Sequence, residues 1–152
     1  MSIDPIRPGM RGFTIIELTV VIVIVSLLAT VAVAKLTSAD RFQAQGFFDS
    51  AAATVRFAQK LAIAQRTNVV VVFNPTSISV CYMNSSCASP VTDPTTGHAL
   101  KIAAPNGVSV EGPASVSFDG LGRANPGGTI IVSGAGVTDK LVIEQETGYA
   151  HE

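Results

Sequence analysis

The sequence predicts an α+β fold: a long N-terminal α-helix, membrane-spanning in its first half and amphipathic in its second, packed on an antiparallel β-sheet or sandwich. Three observations carry this. Leu18–Ala34 is an uncharged run rich in Leu, Val, Ile and Ala. Beyond it, apolar residues recur at steps of three and four as far as Arg66, with no Pro between Arg11 and Asn74. From Asn68 onward, short β-branched segments alternate with Gly- and Pro-containing turns. At 152 residues the chain has room for one domain plus an anchor. The expected division is residues 1–12, 13–36 and 37–152.

Residues 1–12 contain Arg7, Arg11 and Asp4 but no apolar core. That differs from a secretory signal peptide, whose apolar stretch precedes the cut and is lost. The two arginines favour a cytoplasmic position for this segment, which places the C-terminal domain across the membrane. Phe13–Ala34, as a helix rising ~1.5 Å per residue, would reach roughly 33 Å, about the hydrocarbon thickness of a bilayer. Its one charge is Glu17. A carboxylate there costs a few kcal/mol at the bilayer centre and less near an interface. By hydropathy alone, this is a single-pass anchor with an interfacial Glu.

The head of the run, Gly12-Phe13-Thr14-Ile15-Ile16-Glu17, resembles the type IV prepilin signature, in which Gly is followed by Phe and a Glu stands fifth after the Gly. The resemblance implies that prepilin peptidase cuts between Gly12 and Phe13 and N-methylates Phe13. It implies that Glu17 pairs with the N-terminal amine of an adjacent subunit. It also implies inner-membrane insertion, handling by an assembly platform, and entry into a filament of other pilin or pseudopilin subunits. Two features depart from the pattern. Ala34 stands where many pilins carry a Pro, and the leader, residues 1–12, is longer than that of many major pilins.

The second half of the helix is expected to reach about Arg66. Phe48, Ala52, Val55, Ala58 and Ala62 form its core face, flanked by Phe47, Ala51, Leu61 and Gln65. Arg56, Lys60 and Arg66 fall on or near the polar side and give the helix a basic end. Gly46 is a local weak point, costing ~1 kcal/mol relative to Ala.

Strands are expected at Asn68–Asn74 and Ser77–Met83, joined as a hairpin through Asn74-Pro75-Thr76. Cys81 and Cys87 enclose a short loop. In an oxidising periplasm they are expected to form a disulfide, and without a nearby His or third Cys they make no zinc site. Ala88–His98 reads as a loop, Leu100–Ala103 as a short strand, and Val108–Val110 as a segment between turns. Ser115–Phe118 reads as a strand and Asp119–Gly128 as a long turn-rich loop. Thr129–Ser133 and Thr138–Gln145 pair through Gly134-Ala135-Gly136, and Tyr149–His151 closes the chain.

Phe118-Asp119-Gly120-Leu121-Gly122-Arg123 and the closing Ile143–Tyr149 segment look like minor pilins and pseudopilins. The resemblance extends to the minor subunits of MSHA-type pili and the H-type pseudopilins of type II secretion, and it implies a β-sandwich packed on the outer half of the long helix.

Chemistry is scarce. His98 and His151 are the only histidines, and no Gly-x-Ser-x-Gly nucleophile motif is present. Asp93 and His98 share a loop but make no catalytic set. Gly120-Leu121-Gly122 is followed by Asn125, which breaks a dinucleotide fingerprint. The oxygen-ligand spacing of a calcium loop is absent. No cofactor, metal or small-molecule substrate is expected. Past Thr37 the chain carries Arg41, Arg56, Lys60, Arg66, Lys101, Arg123 and Lys140 against a slight excess of acids. With no cationic cluster, nucleic acid is a poor partner. The expected function is a structural one: a minor pilin of a type IV pilus, or alternatively a minor pseudopilin of a type II secretion system. A tip adhesin or DNA-uptake pilin ranks below these, and a membrane-anchored enzyme lacks a site.

Overall fold

The helix begins where a hydroxyl caps it. In the computed structural model, which describes residues 13–152 apart from the side chains of residues 30–38, helix α1 runs from Ile15 to Gln65. Thr14 lies just before it. Its Oγ1 accepts a hydrogen bond from the Glu17 backbone N–H at 3.2 Å, and its carbonyl accepts from Leu18 at 3.1 Å. Thr14 is therefore the N-cap and Glu17 the third helical residue, the spacing of a capping box. The helix starts at Ile15 and not at Phe13, because Phe13 precedes the cap. The expected leader, residues 1–12, and with it Gly12, lies outside the described residues.

The far end of α1 closes in a Schellman motif. Thr67 N–H bonds the Ala62 carbonyl at 3.2 Å and Arg66 N–H bonds that of Ile63 at 3.3 Å. Arg66 takes the left-handed turn position, with φ of 50°. It thus lies outside the helix, and the last turn contains no basic residue. The expected basic helix end is corrected accordingly: the chain reverses one residue before the charge.

The chain divides into two compact units, Met1–Thr37 and Ser38–Glu152. In the second, nine strands follow the helix: β1 Val69–Asn74, β2 Ser77–Tyr82, β3 Lys101–Ala103, β4 Val108–Glu111, β5 Ser115–Phe118, β6 Ala124–Asn125, β7 Gly128–Gly134, β8 Val137–Ile143 and β9 Ala150–His151. They form two antiparallel sheets, ordered β3-β2-β1-β5-β6 and β4-β7-β8-β9. Asn74 pairs with Ser77 across the two-residue Pro75-Thr76 turn. Gly134 pairs with Val137 across Ala135-Gly136, both at positive φ as such a tight hairpin requires.

Alternation places one face of each sheet in a common core with α1. Phe47, Phe48, Ala51, Ala52, Val55, Ala58 and Ala62 on the helix are buried. Val71, Val80, Val116 and Phe118 of the first sheet and Ile130, Val132, Leu141 and Ile143 of the second belong to the same cluster. The small Ala side chains allow the helix backbone to sit close to the strands, where larger ones would overpack. Of the expected flanking residues, Leu61 is half-buried and Gln65 exposed, so the stripe closes one turn early.

Two expected loops contain more order than their composition shows. Asp119–Gly128 contains β6, which pairs Ser117 with Asn125 and Phe118 with Ala124, and its Gly128 already belongs to β7. Within Ala88–His98, Val91 is buried, and its N–H bonds the Val80 carbonyl at 2.9 Å. The strand expected to end at Gln145 stops at Ile143. A turn follows, held by Gly148 N–H to the Glu144 carbonyl at 2.8 Å.

Candidate functional site

In the first unit, every described side chain from Phe13 to Ala29 is exposed, and most are apolar. Among its large apolar residues Phe13 and Ile15 are the most exposed, at 80% and 84%. The hydroxyl groups in this stretch make no demand on a neighbour. Thr19 Oγ1 donates to the Ile16 carbonyl at 2.9 Å and Ser26 Oγ to that of Ile22 at 2.8 Å. Hydroxyls bonded back to their own helix leave a surface that is apolar in effect. Glu17 stands in the first turn of α1, where the helix dipole favours a carboxylate.

Among the residues whose side chains are described, no helical stretch is long and apolar enough to cross a membrane. Residues 15–29 fall short of the ~20 that a bilayer needs.

In the second unit, one end of α1 is tied to the last third of the chain. Gln59 Nε2 donates to the carbonyls of Gly122, at 3.0 Å, and Thr147, at 2.8 Å, which joins two turns to the helix. Arg56 Nε donates to the Ala150 carbonyl at 3.3 Å, and its guanidinium lies 3.9 Å from Glu152. Gly148 and Gly122 pack so closely that a Cβ on Gly148 would collide with the Gly122 carbonyl oxygen and the Gln59 amide.

The Asp119 turn is built around its carboxylate. Oδ1 accepts from the backbone N–H groups of Leu121 and Arg123, both at 2.9 Å, and Oδ2 accepts from the Arg123 guanidinium at 2.9 Å. The Arg123 N–H above all, with its guanidinium and the Leu121 N–H, holds this carboxyl below the ordinary carboxylate range. Asp93 is lowered in the same way, chiefly by the Thr95 N–H. Its carboxylate faces Thr95 and Thr96, not the His98 ring; the pair meets only through Asp93 N–H and the His98 carbonyl at 2.8 Å. Cys81 and Cys87 are disulfide-bonded, with Cα atoms 5.1 Å apart, at the end of β2. Among the described residues, no group of three His, Cys, Asp or Glu is placed to hold a metal.

Three groups of residues are brought together: the cap Thr14 with Glu17, the helix-to-turn links of Arg56 and Gln59, and the Asp119–Arg123 pair. Of these, only Glu17 was singled out for a role by sequence. The Thr14 cap was available to it, since Thr-x-x-Glu before an apolar run is a helix-start pattern. Gln59 carries no such signal, and Asp119 enters only as one residue of the Phe118–Arg123 segment, with no role attached to it.

Residues 7–33 match the model of the prokaryotic N-terminal methylation motif. The fold is similar to that of the type IV minor pilin FimU of Pseudomonas aeruginosa, at 17% identity and a TM-score of 0.60 over 73% of this chain and 88% of that one. A second crystal form of FimU gives a TM-score of 0.57 at 17% identity, over 70% and 90%. The minor pseudopilin EpsH of the type 2 secretion system of Vibrio cholerae follows at 10% identity and 0.55, over 74% and 94%. The chain carries a prepilin motif on a pilin-like fold. No curated protein matches it by sequence. The expected α+β architecture, a helix packed on antiparallel sheets, is the one observed.

Proposed function

We propose that the chain is a minor pilin, cleaved between Gly12 and Phe13 by prepilin peptidase, N-methylated at Phe13, and assembled into a type IV pilus through the apolar half of α1. The observation that carries this reading is the helix start itself. A capped helix opens within the motif, at Ile15, and presents a mostly apolar exposed surface with one carboxylate, Glu17, in its first turn. Before assembly, Phe13–Ala34 spans the inner membrane, with the leader cytoplasmic and residues 37–152 periplasmic. An assembly platform then passes the subunit to other pilin subunits. Glu17 pairs with the amine of a neighbouring subunit, and the Cys81–Cys87 disulfide closes a loop of the periplasmic domain. A second reading, a minor pseudopilin of a type II secretion filament, is favoured by the likeness to EpsH.

Intact-mass analysis of the protein from native membranes tests the route. Loss of residues 1–12 with a methylated Phe13 is expected, and an intact leader beside an active prepilin peptidase overturns it. Glu17→Ala is expected to be cleaved and membrane-bound but poorly incorporated into filaments; normal incorporation refutes the pairing role.

A further inference from the structure

The end of the second unit at which the chain enters is built differently from its far end. Ser38 opens this unit, and Arg41 and Phe42 follow closely on the apolar run that ends at Ala34. Phe42 is 75% exposed and takes no part in the core. Arg41 is exposed and enters no ion pair among the described residues. Its guanidinium lies beside the β7–β8 turn, since a Cβ on Gly136 would meet its Nη2 at 3.6 Å. The turn before β4 packs on the same hairpin: a Cβ on Gly134 would meet the Gly107 carbonyl oxygen at 2.6 Å. Asn106, Gly107, Ala135 and Gly136 are all exposed.

These two turns carry no charge. Ile102–Val110 and Pro126–Thr138 contain neither acid nor base. Asp139 and Lys140 stand back from the hairpin tip, paired with Val132 and Ile131, and oppose each other in sign. Asp40 precedes Arg41 by one residue and so lies about 100° round the helix from it. At the far end, by contrast, Arg66, Asp119, Arg123 and Glu146 gather in adjoining clefts. Charge spread over every side keeps a domain soluble. An uncharged end with one unpaired cation and one bare aromatic ring suits a surface that is part apolar and part phosphate.

Helix length gives the depth. A hydrocarbon core of ~30 Å takes about 20 residues of helix. Counted from Glu17, whose carboxylate is tolerated best at an interface, they end at Thr37. Arg41 and Phe42 then fall about 6 and 7.5 Å further on, within the headgroup layer. Resting on the reading that Phe13–Ala34 spans the inner membrane, we infer that this end of the second unit docks on the phospholipid surface. Arg41 meets a lipid phosphate, Phe42 enters the interface, and the Asn106-Gly107 and Ala135-Gly136 turns rest on the headgroups. The contact orients the domain before assembly and is given up when the subunit leaves the bilayer.

Quenching by labelled lipids tests this with the full chain in vesicles of phosphatidylethanolamine and phosphatidylglycerol. The chain has no Trp, so Phe42→Trp, Asn106→Trp and Leu121→Trp each introduce a single reporter. Leu121 is 76% exposed and stands at the far end, beside Arg66 and Asp119. A headgroup nitroxide is expected to quench Phe42→Trp and Asn106→Trp about threefold more than Leu121→Trp. Equal quenching of Asn106→Trp and Leu121→Trp overturns the proposal, because the domain then stands clear of the lipid. Arg41→Glu, added to Asn106→Trp, is expected to lower its quenching about twofold, and Arg41→Lys to preserve it; no effect of Arg41→Glu refutes the phosphate contact. These substitutions fall on exposed residues and leave the core intact, which the melting temperature of each variant checks. A nitroxide deep in the acyl chains separates the two ideas through Ile24→Trp. Quenching of Ile24→Trp without that of Asn106→Trp refutes only the docking, and no quenching of Ile24→Trp refutes the membrane reading itself.

Discussion

Asp119 shows how a single exposed carboxylate organises a turn. Three donors from its own loop converge on it, and its carboxyl is held below the ordinary range. The folded group titrates below its unfolded value of about 3.9. Its contribution to stability is therefore complete above that pH and is lost as the pH falls through the lower folded value. Asp119→Asn is expected to melt below the wild type at neutral pH, with the gap narrowing below about pH 4; a pH series of melting curves checks this, and a constant gap refutes it. Gly148 is the other decisive residue. With φ of 64° and no room for a Cβ against Gly122 and Gln59, Gly148→Ala is expected to cost about 2–4 kcal/mol by chemical denaturation. Neither role was legible in the sequence. An Asp followed by Gly reads only as a turn, and the partners of Gly148 are far off along the chain.

At the scale of elements the sequence was far more informative. The helix and the long strands declare themselves because their residues pattern against one shared core: Phe48, Ala52, Val55, Ala58 and Ala62 by threes and fours, Val69, Val71 and Phe73 by twos. The misses lie where long-range pairing decides. Ala124-Asn125 becomes a strand only because Phe118 and Ser117 lie opposite, and Val91 is buried by strands that its loop composition does not announce. The helix ends were half legible. Arg66 takes a left-handed cap that Gly more often fills, so its charge was placed in the helix. At the other end, Thr14 is an ordinary cap. Thr14→Val is expected to destabilise the first turn by about 1 kcal/mol, seen as faster amide hydrogen exchange at Glu17 and Leu18 with the core of the second unit unchanged.

For the molecule as a whole, stability rests on the second unit, in which one core joins α1 to both sheets. The disulfide adds to it locally. Its partners are separated by 6 in sequence, so on loop entropy alone Cys81→Ser/Cys87→Ser is expected to cost about 2 kcal/mol, read as a lower denaturant midpoint with an unchanged slope. The methylation motif was legible because it is local, a Gly, a Phe and a Glu at fixed spacing; the helix-to-turn links were not, because they join residues some sixty to ninety positions apart. The self-bonded hydroxyls of Thr19 and Ser26 have a consequence at this scale. Between Leu18 and Ala29, beyond the Glu17 carboxylate, a helix surface whose hydroxyls are bonded to their own backbone is as much at ease among lipid tails as among other helices, because between two apolar media the hydrophobic effect takes no side. In the proposed setting, the exchange between membrane and filament would be nearly balanced, so that a modest push decides its direction and the same path can be travelled back.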